Sequence, residues 1–332
     1  MSSWSVPGSV SDCCNTLKRA GYEAYPVGGC VRDLLLGRVP EDWDVTTSAR
    51  PECVQSLFEH TIPTGIRHGT ITVICSETAV EVTTFRKEGK YRDSRHPDLV
   101  SFDTDLSGDL ARRDFTINAM ALGEEGQVID PHGGQEDLRS GLIRAVGEPN
   151  KRFSEDALRI LRGIRFAAQL GFTVELETAA AMERYAGLVD NVAAERIKAE
   201  VEKILCSSNP QWIGWAVKLG ILDRFWNGWK VCDWNKLKEA APIPEERWKA
   251  FCNLTSFPIT HLPVERAVKM AVNHPERMSV KKLSLSGGEI KKLGFQGEDI
   301  GKAQRHLARY IQTHPEENTS QRLTELLLNM KG

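Results

Sequence analysis

Apolar positions change their period part-way along this chain. Up to about residue 145, short β-branched runs are separated by turn residues, and the pattern predicts strands at Ala24–Val27, Asp42–Thr46, Gly69–Cys75, Val80–Phe85 and Val128–Asp130. Helices are expected at Val10–Arg19 and from Arg32 to Leu36. Beyond about residue 150 the strand signals fade. Apolar residues then recur at three- and four-residue intervals over Ser154–Leu170, Thr178–Leu188, Ala193–Leu205, Gln211–Leu219 and most of the remainder. This is an α+β layout, a mixed head followed by an all-helical body. Pro242–Pro244 and Asn273-His274-Pro275 read as breaks between helical groups.

Composition narrows the class. With 332 residues, 41% hydrophobic and 27% charged, the chain suits a soluble globular protein of two or three compact parts. It has no apolar run long enough to cross a bilayer, and Met1-Ser2-Ser3-Trp4 has no signal-peptide core, so a cytoplasmic location is expected. The eight cysteines contain no Cys-x-x-Cys and read as reduced, scattered core residues. A formal net charge of −2 hides a local excess: between Arg266 and Arg309, ten Lys or Arg stand against four Asp or Glu. Such a segment suits either a phosphate backbone or a solvated helical face.

The chemistry gathers around two short segments. On a strand, Asp42 and Asp44 at i, i+2 would share one face. Upstream, Val27-Gly28-Gly29-Cys30-Val31-Arg32-Asp33 pairs a glycine turn, able to approach an anion, with an arginine in the helix that follows. Oxygen-only ligands suit Mg²⁺. Two such ions would activate an attacking hydroxyl and stabilise a pyrophosphate leaving group. Glu81, flanked by valines that point the other way, is the candidate third carboxylate. A lone Asp-x-Asp is weak evidence, but after this turn and before this strand it points to nucleotidyl transfer.

With Arg112-Arg113-Asp114-Phe115-Thr116-Ile117-Asn118-Ala119-Met120, Asp130–Arg144, Glu155-Asp156-Ala157-Leu158-Arg159 and Ala194–Leu205 following in order, the chain resembles the class II tRNA nucleotidyltransferases, the family of CCA-adding enzymes and their poly(A) polymerase relatives. The resemblance covers roughly residues 20–225. It implies a polymerase-β-like head (1–145), a helical neck (146–208) and a helical body with a short tail that binds tRNA (209–332). It also implies metal binding by Asp42 and Asp44, and triphosphate contacts from Gly29, Arg32 and Arg113. The local alternative for Arg113 is a helix cap with neighbouring pairs.

In the Glu155–Arg165 helix, Ser154 is the expected N-cap, with Phe153 and Leu158 at hydrophobic-staple spacing. Leu158, Leu161, Ile164 and Ala168 define a core stripe, opposite Asp156, Arg159 and Arg162, while Arg165 lies nearer the apolar border. Helix-dipole effects explain Glu155 but not three arginines at successive i+3 positions. The resemblance implies that Asp156 and Arg159 act as a protein template for the base, with Arg162 orienting them and Arg165 lining the pocket. An acceptor-only carboxylate beside a donor-only guanidinium matches the amino donor and ring-nitrogen acceptor of cytosine and adenine.

The expected function is therefore template-independent addition of CCA to tRNA, with CTP and ATP as substrates. The alternatives are an A-adding enzyme, a poly(A) polymerase, or a tRNA-binding protein with a dead active site. The polar Arg86–Asp109 segment, including Tyr91–Pro97, is expected to move as specificity changes from C to A. His68 reads as structural, and Trp212, Trp215, Trp226, Trp229 and Trp234 read as body core.

Overall fold

The computed structural model describes residues 6–66, 69–75, 78–88, 100–102, 104–273, 280 and 283–329. His68 and Tyr91–Pro97 lie outside the described residues. Two compact units are present, Met1–Arg224 and Phe225–Gly332.

The first unit begins with α1 (Gly8–Arg19), whose Val10, Cys13, Cys14 and Leu17 fall on one face and are buried. That helix packs against a five-stranded sheet of β1 (Ala24–Pro26), β2 (Asp44–Thr47), β3 (Thr61–Gly65), β4 (Thr70–Cys75) and β5 (Thr78–Thr84). The strand order is β1-β2-β5-β4-β3, antiparallel throughout except for the parallel β2–β5 pair. Val45, Ile71, Val73, Val80 and Val82 are fully buried. The edge strand β3 escaped the sequence reading because Thr61–Gly65 lacks alternation, with Ile62 half-exposed. The Cys side chains are all free thiols.

Helices dominate after residue 149: α6 (Pro149–Glu155), α7 (Leu158–Leu170), α8 (Leu176–Tyr185) and α9 (Ala194–Leu205) follow the head helices α2 (Gly29–Leu35), α3 (Pro51–Leu57), α4 (Leu106–Ala111) and α5 (Gly134–Ser140). One exception interrupts the helical body, a two-residue strand Thr173–Val174 that pairs in parallel with Leu142–Ile143. Among the described residues, no helix is long and apolar enough to cross a membrane.

The Asp130–Arg144 motif forms a packed joint. Asp130 accepts the Gly134 and Gln135 N–H groups at the start of α5, while Asp137 accepts from Thr116 Oγ1 at 2.6 Å and from Arg144 Nε at 3.2 Å. A Cβ on Gly134 would lie 2.3 Å from the Thr116 carbonyl oxygen, a backbone atom that cannot rotate away. Gly134→Ala is therefore expected to destabilise the head by ~1–3 kcal/mol, read as a lower denaturant midpoint. An unchanged midpoint would mean that α5 is free to shift.

In the second unit, Trp229 and Trp234 pack on Phe251, Trp229 also stacks on Phe257, and Trp248 is fully buried. Trp212 and Trp215 belong to the first unit, where their half-buried rings meet at 5.8 Å.

Candidate active site

All ten sequence-predicted site residues line one cleft of about 1070 Å³ in the Met1–Arg224 unit. At its floor, Asp44 opens β2 and stands opposite Glu81 in the parallel register with β5. Asp42 lies in the bend before the strand, so the two carboxylates do not share a strand face: Asp44 stands on β2, and Asp42 reaches the cleft from a loop. Burial pushes the Asp44 carboxyl up to about 6; the Glu81 charge adds to the rise, Arg113 opposes it and Asp42 adds a little more.

Among the described residues, no three His, Cys, Asp or Glu side chains gather closely enough to hold a metal by themselves. An oxygen-only, mutually repelling carboxylate pair nonetheless fits a hard divalent cation that completes its shell with water and substrate oxygens.

Gly28, at φ +84°, turns the chain into α2 and donates its N–H to Met120 O. A Cβ there would meet Arg113 Nη1 at 2.9 Å, so the glycine leaves room for that guanidinium. Arg32 is clamped by Asp33 (2.9 and 3.0 Å) and by Asn118 Oδ1 (2.8 Å), a residue of the Arg112–Met120 motif. Behind Arg113 sits the fully buried Asp109, which accepts from Arg112, Arg113 and Thr46 Oγ1. Burial would raise the Asp109 carboxyl, but Arg112 and Arg113 outweigh it and hold it below the usual range. Arg113 thus makes the local pair and also faces the cleft.

The expected single helix from Glu155 is broken. Asp156 and Ala157 separate α6 from α7, with Asp156 at φ −141°. Ser154 is not a cap; its hydroxyl donates to Lys151 O within α6. Asp156 takes the capping role, Oδ1 accepting Leu158 N–H at 3.0 Å and Oδ2 accepting Arg196 Nη2 at 3.1 Å. The break arises because an Asx-type bond from the Asp156 carboxylate competes with a continuing helix. Asp156 and Arg159 consequently do not pair: the Arg159 guanidinium donates to Glu155 and to the carbonyls of Arg152 and Arg112.

The core stripe Leu158, Leu161, Ile164 and Ala168 is buried. Across from it, Arg162 meets Asp114 at 2.6 Å and Arg165 meets Glu200 at 2.6 Å. Phe166 lies beneath three guanidinium groups, with Arg165 at 4.0 Å, Arg32 at 5.5 Å and Arg162 at 5.6 Å from its centroid, and packs edge-on against Phe115.

Burial would raise the Asp114 carboxyl, yet the charge and hydrogen bonds of Arg162 win and hold it at about 2. Its unfolded value is ~3.9, so the pair's contribution is complete above that pH and lost as pH falls toward 2. Urea midpoints measured from about pH 5 to pH 2 should fall less steeply for Asp114→Asn than for the parent. Parallel curves would show that the pair adds no acid-labile stability.

Residues 24–144 match the poly A polymerase head domain model, and residues 171–228 match the probable RNA and SrmB-binding site of polymerase A. A CCA-adding enzyme of Limosilactobacillus reuteri is 51% identical over 194 residues, covering 58% of this chain and 48% of that protein. The CCA-adding enzyme of Leuconostoc mesenteroides is 46% identical over 249 residues, 73% of this chain and 61% of its own. The crystal structure of the Bacillus stearothermophilus CCA-adding enzyme in complex with CTP superposes with a TM-score of 0.68 at 28% identity, covering 97% of each chain. This chain belongs to the class II tRNA nucleotidyltransferase and poly(A) polymerase family. The aligned region nevertheless spans about half the length of the first curated relatives.

Within that family frame, six supporting residues were not singled out as site residues from sequence: Asp109, Asp114, Asn118, Phe166, Arg196 and Glu200. Asp114 and Asn118 lie inside the quoted Arg112–Met120 motif, and Arg196 and Glu200 inside Ala194–Leu205. Their motif membership was the available signal; their partners are distant in sequence.

Proposed function

We propose that this protein adds C, C and A to the 3′ end of tRNA, taking CTP and ATP and releasing diphosphate, with Mg²⁺ as the metal. The observation that carries the reading is the convergence, in one cleft, of the Asp42 and Asp44 carboxylates, the Gly29–Arg32–Arg113 cradle and the side chains of Asp156 and Arg159. The CTP complex of the Bacillus relative supports a nucleoside triphosphate as ligand.

In this reading Arg32, held by Asp33 and Asn118, and Arg113, held by Asp109, present fixed charge to the triphosphate. Asp156 accepts from the base amino group, and Arg159 donates to the ring acceptor. Asp42 and Asp44 hold the divalent ion, which when bound neutralises charge on the transferring phosphoryl group and lowers the pKa of the attacking hydroxyl. Arg196 and Glu200 keep Asp156 and Arg165 in place from α9. Residues 1–145, 146–208 and 209–332 serve as catalytic head, template neck and tRNA-binding body in this proposal.

Sequencing of 3′ ends after incubating CCA-less tRNA with both nucleotides tests the reading. Products ending in a single CCA are expected, and chelation of divalent metal should abolish them. A run of A would instead identify a poly(A) polymerase, and an unextended tRNA that stays bound would identify a binding protein.

A further inference from the structure

We infer that Arg38 and Val39, on the loop between α2 and β2, hold the 3′-terminal nucleotide of the RNA being extended. The inference rests on the proposed reaction and deepens it by naming where the primer sits.

Charge bookkeeping in the cleft singles out this loop. Arg113, Arg159, Arg162, Arg165 and Arg196 each face a carboxylate within 3.2 Å. Arg38 lines the same cleft, is exposed, and has no ion pair among the described residues. Lys203 is the other cleft-lining cation of this kind, but it stands in the last turn of α9, shortly before Asn209, whose Nδ2 donates to Ala168 O close to the C-terminus of α7. That helix runs about 18 Å from Leu158 to Leu170. An attacking hydroxyl must instead lie beside the α-phosphate, opposite the leaving diphosphate, and so against Asp42 and Asp44.

The glycine cradle and Arg32 are taken by the incoming triphosphate, which leaves the segment running into Asp42 as the adjacent rim. Gly37, at φ +69°, turns the chain out of α2 and starts that segment. Val39 is 91% exposed and lines the cleft. A single exposed valine is ordinary on a protein surface. Next to an unpaired guanidinium on the cleft rim, it offers an apolar face for a ribose or base while Arg38 meets the phosphate. Glu41 on the same loop also lines the cleft and would repel that phosphate, so neutralisation falls to Arg38.

The test measures binding of tRNA ending at the discriminator base across a range of salt concentrations, together with separate KM values for tRNA and CTP. For Arg38→Ala, a roughly ten-fold rise in the tRNA KM is expected, with the CTP KM unchanged and the slope of log K against log salt shallower by about 0.7. Arg38→Lys should restore most of the binding and the slope. Val39→Ser should weaken binding by roughly three-fold without altering the slope. With a tRNA trimmed of its last nucleotides, the difference between the parent and Arg38→Ala should vanish. An unchanged tRNA KM, an effect on CTP instead, or a difference that persists on trimmed tRNA would each overturn the inference. If the parent protein incorporates nothing, the proposed reaction fails, whereas the binding arms still decide where the RNA end lies.

Discussion

Asp42→Ala and Asp44→Ala are each expected to lower nucleotide incorporation by at least ~100-fold while leaving tRNA affinity within about two-fold. The size of the loss reflects the charge that develops on the transferring phosphoryl group in a cleft where Arg113 is already committed to Asp109. The structure also supplies a control for folding. Asp44 is partly buried beside Glu81 and Asp42; burial first, with the charges of Glu81 and Asp42 adding to it, pushes its carboxyl up to about 6. Removing Asp44 relieves the cost of holding a charge there, desolvation first and repulsion second, so metal-free stability should hold or rise as activity disappears. A folded Asp44→Ala protein that turns over near the parent rate would remove these carboxylates from the chemistry.

Loss of base choice is the second large effect expected. Asp156→Asn should erode discrimination against UTP and GTP by roughly 10–100-fold, because the acceptor-only group that suits C and A acquires a donor. Asn is preferable to Ala at this position because its oxygen can still accept the Leu158 N–H that starts α7. Arg159→Ala should show the same loss of selectivity together with lower stability, since the carbonyls of Arg152 and Arg112 lose a donor and Glu155 keeps only its contact with Arg152. Nucleotide selectivity is measured as the ratio of kcat/KM for CTP over UTP on tRNA ending at the discriminator base. Variants that slow every nucleotide equally would assign Asp156 and Arg159 a purely structural role.

The central strands and the helical stripe were legible because their side chains follow one period. The valines of Val80–Phe85 alternate around Glu81, and Leu158, Leu161, Ile164 and Ala168 repeat at helical spacing. Cleft residues are legible for a different reason: their motifs are short and ordered along the chain. The connections between those motifs were not legible. Asp114 reaches Arg162 across 48 positions and Arg165 reaches Glu200 across 35, and no periodicity encodes such pairings. The break at Asp156 was missed because Ser154 offered an equally good local cap, and only the contact with Arg196 decides between them. Short strands such as Thr173–Val174 likewise follow from pairing with Leu142–Ile143 rather than from their own sequence.

The most direct measurement supplies CTP alone or ATP alone to three tRNAs, ending at the discriminator base, at C and at CC. The account predicts C on the first two, A only on the third, and no further addition. Addition of A to all three, or no addition of C to either of the first two, would contradict it.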